Sequence, residues 1–371
     1  MKIIRSGATP SAIVQLAKSI DQRAAAEGRK YLRLERGING VCPIDLAPIL
    51  PLIDFGSPGI LNYPPATGQP ALKRAINAAY FGGAVPEGRI CVTNGGSMGL
   101  DIAFDTLDVT RIVLPEYHWG TYRQILRVRR KSWAYYASME ELRDHPERHA
   151  EEAVVLCDPG NPLGEKVGDD LLLETARRLS AAGAAVIIDC PYRRVYFDSS
   201  DTLFRDLSDL ENAIIVESFS KSLGLSGLRI GFLYTANEAF AAEFALRFPL
   251  PTNGVDNFVQ AAVEKLLVHP LGIESARRFR TRTAEDIGRN IAYLEETGLL
   301  ARPLYEGKKC LGIFAVVTRT PEDLLKSRIA AISLRTFTET RAEEAARFSR
   351  INVSVPHAKF REFFSSLPAA G

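Results

Sequence analysis

Lys221 lies in the run Glu217-Ser218-Phe219-Ser220-Lys221-Ser222-Leu223-Gly224-Leu225-Ser226-Gly227-Leu228-Arg229-Ile230-Gly231-Phe232. It stands just past an apolar strand pattern, between small hydroxyl residues, with Arg229 eight positions on. That set suits a Schiff base between the lysine and an aldehyde cofactor whose phosphate is held by the hydroxyls and the guanidinium. Most lysines are solvated surface residues, so the run needs support from elsewhere in the chain.

Four other stretches offer it. Gly95-Gly96-Ser97-Met98-Gly99 precedes the helical pattern Leu100-Asp101-Ile102-Ala103-Phe104. Glycines there admit an anion close to the backbone, and the free N–H groups of a helix start bind phosphate. The run matches neither GxGxxG nor the Walker pattern, which argues against a dinucleotide or ATP site. Trp119 follows a strand pattern, where a flat indole can stack on a cofactor ring; taken alone, core packing explains it more simply. Asn161, in Asp158-Pro159-Gly160-Asn161-Pro162-Leu163-Gly164, can hydrogen-bond a phenolic oxygen, or serve only as turn chemistry. Asp189 ends the strand pattern of Ile187-Ile188-Asp189-Cys190-Pro191-Tyr192. A carboxylate at a buried strand tip is costly without a partner. A protonated ring nitrogen would serve, as would a helix N-terminus or an arginine.

These residues mostly fall at the carboxyl ends of strand patterns, where open α/β sheets bind ligands. The strand candidates are Arg111-Ile112-Val113-Leu114, Ala153-Val154-Val155-Leu156, Ala185-Val186-Ile187-Ile188, Ala213-Ile214-Ile215-Val216 and Ile230-Gly231-Phe232-Leu233. Runs apolar throughout and separated by helical patterns predict an α/β fold with a mostly parallel sheet covered on both faces. Residues Ser11 to Gly28 predict an amphipathic helix with Ile13, Leu16, Ala17 and Ile20 on one stripe. A Gly/Pro-rich, irregular stretch covers Gly37 to Pro70. Beyond residue 255 the texture changes. A long helix over Ser275 to Gly298 and strands at Gly312 to Val317 and Ile351 to Val355 predict a smaller α+β domain. The expected division is 1–40, joining the small domain, then 41–255 as the large domain and 256–371 as the small one.

Composition narrows the class. At 371 residues the chain is long enough for a sizeable core and two lobes. A net charge of +2 supplies no field to recruit nucleic acid or an anionic membrane surface. The cluster Arg277-Arg278-Phe279-Arg280, with Arg282, is expected on a solvated helix face. Five dispersed cysteines show no CxxC or metal-ligand spacing, so neither a metal site nor a disulfide framework is expected. With no signal-like N-terminus and no stretch able to span a bilayer, the expected location is the cytoplasm.

Phosphate loop, aromatic residue, Asn, Asp-x-x-Tyr and Ser-x-Ser-Lys with its downstream arginine occur in one order. That order resembles the pyridoxal-phosphate enzymes of fold type I, specifically the class I/II aminotransferases, over nearly the whole chain. The resemblance is most specific from Ser218 to Gly231. It implies that Lys221 holds pyridoxal 5′-phosphate as a Schiff base and shuttles protons once substrate displaces it. Asp189 would pair with the pyridine N–H, and Tyr192 and Asn161 with the phenolic oxygen. Trp119 would stack on the ring. Gly96, Ser97 and Met98 through their backbone, with Ser218, Ser220 and Arg229, would hold the phosphate. Arg350 would grip the substrate carboxylate, with Asn161 and the more loosely matched Gly37 beside it. Tyr63, in Tyr63-Pro64-Pro65-Ala66-Thr67-Gly68, would reach the phosphate of a neighbouring subunit, implying a homodimer. The expected activity is transfer of an amino group between an amino acid and a 2-oxo acid by a ping-pong route.

Several positions depart from the family pattern, and Leu34-Glu35-Arg36-Gly37-Ile38-Asn39 lacks the Pro often found after the glycine. Leu163 replaces the Thr of Asn-Pro-Thr-Gly, Cys190-Pro191 stands inside Asp-Glu-x-Tyr, and Met98 occupies a frequently polar site. A C–S lyase, a decarboxylase and a histidinol-phosphate-type aminotransferase on the same fold remain as alternatives. A DNA-binding regulator built on this domain is disfavoured, since about 30 residues ahead of Gly37 are too few for a helix-turn-helix module. The missing fingerprint disfavours a Rossmann oxidoreductase.

Overall fold

Strands with no polar face must be covered on both sides. The computed structural model, which describes residues 1–198 and 200–368, places the apolar runs inside a seven-stranded sheet. Its strands are β1 (Ile90–Thr93), β2 (Ile112–Pro115), β3 (Trp133–Tyr136), β4 (Ala153–Cys157), β5 (Ala185–Asp189), β6 (Ala213–Ser218) and β7 (Gly231–Thr235). The order is β1-β7-β6-β5-β4-β2-β3. β7 runs antiparallel to both neighbours; the remaining pairs are parallel. This is the mostly parallel α/β sheet expected. Every residue of β4 and β6 is buried.

Register brings the chemistry together. Cys157 pairs with Asp189, Asp189 with Val216, and Ser218 with Gly231. Gly231 also faces Thr93, two residues before the glycine run. Two strands of this sheet were not foreseen. β1 is only four residues and merges into that glycine run, and β3 is an edge strand, half-buried and aromatic rather than β-branched.

A second sheet, in the order β8-β10-β9, contains β8 (Phe314–Val317), β9 (Ile332–Ser333) and β10 (Ser349–Asn352). The last expected strand thus starts and ends earlier than Ile351 to Val355, which puts Arg350 inside the central strand opposite Val316 and Ile332. The N-terminal helix covers Ala12–Glu27 and stops at Gly28, whose φ is 63°. Beyond it Leu32–Arg33 pairs in parallel with Ile329–Ala330, and the following residues run alongside β10, where the Asn352 N–H donates to the Leu34 carbonyl at 2.9 Å. The long helix begins at Pro270, one turn before the expected start, because Pro suits a first helical position. Arg277, Arg278 and Arg282 are exposed on it as expected, but Arg280 is not. Burial beside Tyr80 and Arg194 lowers its pKa, correcting the solvated-face expectation.

The turn carrying Asn161 is pinned between the two sheets. Gly160 N–H donates to the Glu165 carbonyl at 2.8 Å, and Gly164 O accepts from Leu311 at 2.8 Å and Gly312 at 2.9 Å. Gly164 has φ 72°, and a Cβ there would lie 2.0 Å from the Phe314 carbonyl oxygen. Gly164→Ala should therefore cost about 2–3 kcal/mol, as strain plus overpacking. The urea midpoint should fall with an unchanged m value; an unmoved midpoint would contradict this account.

Candidate active site

At the carboxyl ends of β4, β5 and β6 lies a cavity of about 280 Å³. Lys221, Asp189, Tyr192, Asn161, Gly96, Ser97, Trp119, Ser218, Ser220, Arg229, Arg350 and Gly37 all line it. The structure thus brings together every expected site residue except two. Met98 packs its side chain against the core, so only its backbone faces the helix start. Tyr63 is 85% exposed and lies outside the cavity within one chain.

The phosphate-type half is built by geometry. Gly96–Thr106 is helical, and Gly95, at φ 81°, turns the chain from β1 into it. None of the N–H groups of Gly96, Ser97 and Met98 has an acceptor among the described residues. Ser218 Oγ donates to Ser220 Oγ at 3.0 Å, and Arg229 Nη1 reaches Ser220 Oγ at 3.4 Å. Arg229 itself adopts φ 50°, a left-handed conformation uncommon outside glycine and found at functional sites. A Cβ on Gly95 would sit 2.8 Å from Arg229 Nη2, so glycine is what lets this guanidinium close over the helix start. Free helix donors, two hydroxyls and a guanidinium form a cradle for a dianion.

The opposite half holds the titratable groups. Lys221 Nζ donates to the Gly37 carbonyl. Burial first, then the charges of Arg229 and Arg350, lower its pKa to about 8. Burial pushes the Asp189 carboxyl up to about 6, against the hydrogen bond it accepts from the Tyr122 hydroxyl. Asn161 Nδ2 donates to the Tyr192 hydroxyl at 3.1 Å, and Asn161 Oδ1 accepts from Arg350 Nη1 at 3.4 Å. Burial raises the Tyr192 phenol.

Arg350 is fully buried, its guanidinium packed between Phe314 at 4.2 Å and Phe337 at 4.6 Å. Nη2 donates to the Glu35 carbonyl, while the buried Nε has no partner among the described residues. Burial lowers its pKa to about 10. An orphaned donor on a desolvated guanidinium is what a carboxylate ligand would satisfy.

The residues fit pyridoxal 5′-phosphate. The cradle suits its phosphate, the buried Asp189 carboxylate suits a protonated ring nitrogen, and Lys221 suits its aldehyde. Sequence reading missed Tyr122, Ile13, Phe314 and Phe337. Tyr122 lies three residues past Trp119 on the helix Gly120–Arg129, so spacing hinted at it. The other three reach the site only through packing of distant segments.

Comparison with known proteins agrees with this geometry. The sequence matches the family described as aminotransferase class I and II over residues 54–367. It is 28% identical over 242 residues to histidinol-phosphate aminotransferase 2 of Archaeoglobus fulgidus, covering 64% of this chain and 66% of that protein. It is 30% identical over 141 residues to an aromatic amino acid aminotransferase of Corynebacterium diphtheriae, covering 36% of this chain and 40% of that one. The fold is shared with the Thermus thermophilus aspartate aminotransferase solved with maleate, at TM-score 0.81 over 98% of both chains and 18% identity. An aminotransferase from Mycobacterium tuberculosis superposes at TM-score 0.81 over 100% of both chains and 21% identity.

The Tyr122 contact yields a pH prediction. Without a ligand the Asp189 carboxyl titrates near 6, above an unfolded carboxylate at 3.8. The folded chain therefore holds the extra proton between these values, and this group's contribution to stability falls as pH rises through that window. Tyr122→Phe removes the donor that stabilises the ionised form, so the ligand-free variant should lose about 1–2 kcal/mol more at pH 7 than at pH 4. Equal losses in thermal melts at both pH values would refute the assignment.

Proposed function

This chain belongs to the aminotransferase class I and II family, a pyridoxal-phosphate-dependent family, and we propose that it moves an amino group between an amino acid and a 2-oxo acid by a ping-pong route. The observation that carries this reading is that Lys221 and Asp189 face one cavity, together with a dianion cradle and the orphaned Arg350 donor. When bound, pyridoxal 5′-phosphate supplies an electron sink that delocalises a carbanion at the substrate's Cα.

The residues divide the remaining work. Gly96, Ser97 and Met98 N–H groups, Ser218, Ser220 and Arg229 hold the phosphate. Asp189 keeps the ring nitrogen protonated, and Tyr192 and Asn161 hydrogen-bond the phenolic oxygen. Trp119 covers the ring face. Arg350, Asn161 and Gly37 fix the amino acid's carboxylate, which aligns the Cα proton with Lys221. With its pKa held near 8, the Lys221 amine is available near neutral pH as nucleophile and then as the base that takes that proton.

The relatives' names support a second reading, in which the donor is a phosphorylated amino alcohol and Arg350 meets a phosphate. Comparing an amino acid with such an amino alcohol as donor separates the two. The reading also takes 1–40 with 256–371 as a small domain on 41–255, supported by the packing of Leu32 and Leu34 with Phe314 and Ile351 in one core. Free thiols throughout favour a reducing compartment, the cytoplasm.

Mixed with pyridoxal 5′-phosphate, the chain should develop a visible band that borohydride abolishes, leaving the cofactor covalently fixed on Lys221 through a stable C–N bond. An amino acid should bleach the band and a 2-oxo acid restore it. In Lys221→Ala, bleaching should slow by about 10³-fold or more. A covalent label on a residue other than Lys221 after reduction, or ammonia release with no acceptor present, would sink the transaminase reading.

The same reading makes the protein a homodimer, with Tyr63 serving the neighbouring site. Its exposure, and that of Phe55, Leu61 and Leu250, supports a covered face there. Light scattering should give twice the mass of one chain; a monomer retaining full activity would exclude it.

A further inference from the structure

Segment 334–341, which follows β9, crosses the region beyond β2 and β3, where one carboxylate gathers most of its side-chain contacts. Glu339 Oε1 pairs with Arg123 and, at 3.4 Å, with Arg127. Oε2 accepts from the Tyr135 hydroxyl and, at 3.3 Å, from Trp133 Nε1. Two backbone contacts run beside it. Arg123 Nη2 donates to the Thr336 carbonyl at 3.2 Å, and the His118 N–H donates to the Phe337 carbonyl at 2.9 Å. Arg341 paired with Glu116 at 2.6 Å closes the far end.

What this fastening carries is Phe337, one of the two rings against Arg350. The guanidinium has few other restraints: a long 3.4 Å bond to Asn161, one bond to the Glu35 carbonyl, and an Nε with no partner. Its plane is therefore set largely by the two aromatic faces, since guanidinium stacks on them broadside. The same fastening holds His118, whose ring stacks on Tyr135 at 5.3 Å and which immediately precedes Trp119.

We propose that Glu339 is a positioning residue for recognition of the substrate carboxylate, acting through Phe337 on Arg350. It anchors 336–341 so that Phe337 keeps the guanidinium aimed into the cavity. This rests on the reading of Arg350 as the carboxylate anchor. Glu339 touches neither the cavity nor Arg350, so its effect is on affinity for the carboxylate rather than on proton transfer at Lys221.

The test uses the cofactor-loaded protein and the single half-reaction with an amino acid. In Glu339→Gln and in Phe337→Leu, the concentration for half-maximal bleaching should rise about tenfold while the limiting rate falls less than about threefold. The double variant should be no worse than the poorer single one, because both act on the same guanidinium. An unreactive carboxylate, butanoate or 3-phenylpropanoate, titrated by tryptophan fluorescence, should weaken by the same factor without any turnover. Tyr135→Phe removes one donor to Glu339 while keeping its ring; it should shift half-saturation in the same sense, and it substitutes if Glu339→Gln does not fold. Half-saturation unmoved in folded variants, with or without a lower melting temperature, overturns the proposal, and so do additive losses in the double variant. If the wild type shows no bleaching by any amino acid, the transaminase reading itself fails. If it does and the variants are unshifted, only this inference fails.

Discussion

Charges withdrawn from water in one small space set the terms for the rest of this chain. Lys221, Arg229 and Arg350 line the cavity with Asp189 as the carboxylate among them. Burial holds the lysine near 8 and the arginine on β10 near 10, and pushes the carboxyl to about 6. Each shift runs toward the neutral form, which is the sign of charged groups lacking their counterions. A carboxylate beside Arg350 and a protonated nitrogen beside Asp189 would oppose the shifts of those two groups. The electrostatics therefore favour a ligand that is anionic where it meets Arg350 and cationic where it meets Asp189.

Such a cavity needs a scaffold that does not yield. β4, β5 and β6 are buried along their whole lengths, apart from the first residue of β5, and pair in register up to the residues that carry the chemistry. Close backbone approach does the rest. A Cβ on Gly231 would lie 2.4 Å from the Glu217 carbonyl, so β7 can sit beside β6 and the glycine run only because that side chain is missing. The phosphate-type cradle is thus fixed by backbone, whereas the carboxylate end is fixed by side chains stacked on side chains. The first end is rigid by construction; the second depends on how the segments of the C-terminal part are held.

This difference also explains what the sequence disclosed. Lys221, Asp189, Asn161, Trp119 and the glycine run sit at strand ends or a helix start, and a one-dimensional pattern marks such places. Local order gave most of the sheet as well, except β3, whose aromatic edge residues lack the β-branched signature, and β1, which is too short. Phe337 carried no pattern of its own, and the patterns around Tyr122 and Phe314 did not mark them as site residues. They matter because Asp189 needs a donor and Arg350 needs two faces, and those needs arise only once separate segments of the chain are packed together. Gly37, matched loosely by sequence, proves to supply the carbonyl that Lys221 bonds.

The chain from 35 to 39 shows why recognition and chemistry share one geometry here. Its Glu35 carbonyl holds Arg350, its Gly37 carbonyl holds the Lys221 amine, and Asn39 Nδ2 reaches the Lys221 carbonyl at 3.3 Å and Thr283 at 3.2 Å. Gly37 is pressed against Phe314, whose ring a Cβ would approach to 2.6 Å. The five residues therefore bridge the arginine on β10, the lysine after β6 and the long helix Pro270–Glu296. The strap thus fixes the spacing between the guanidinium at one end of the cavity and the lysine amine at the other.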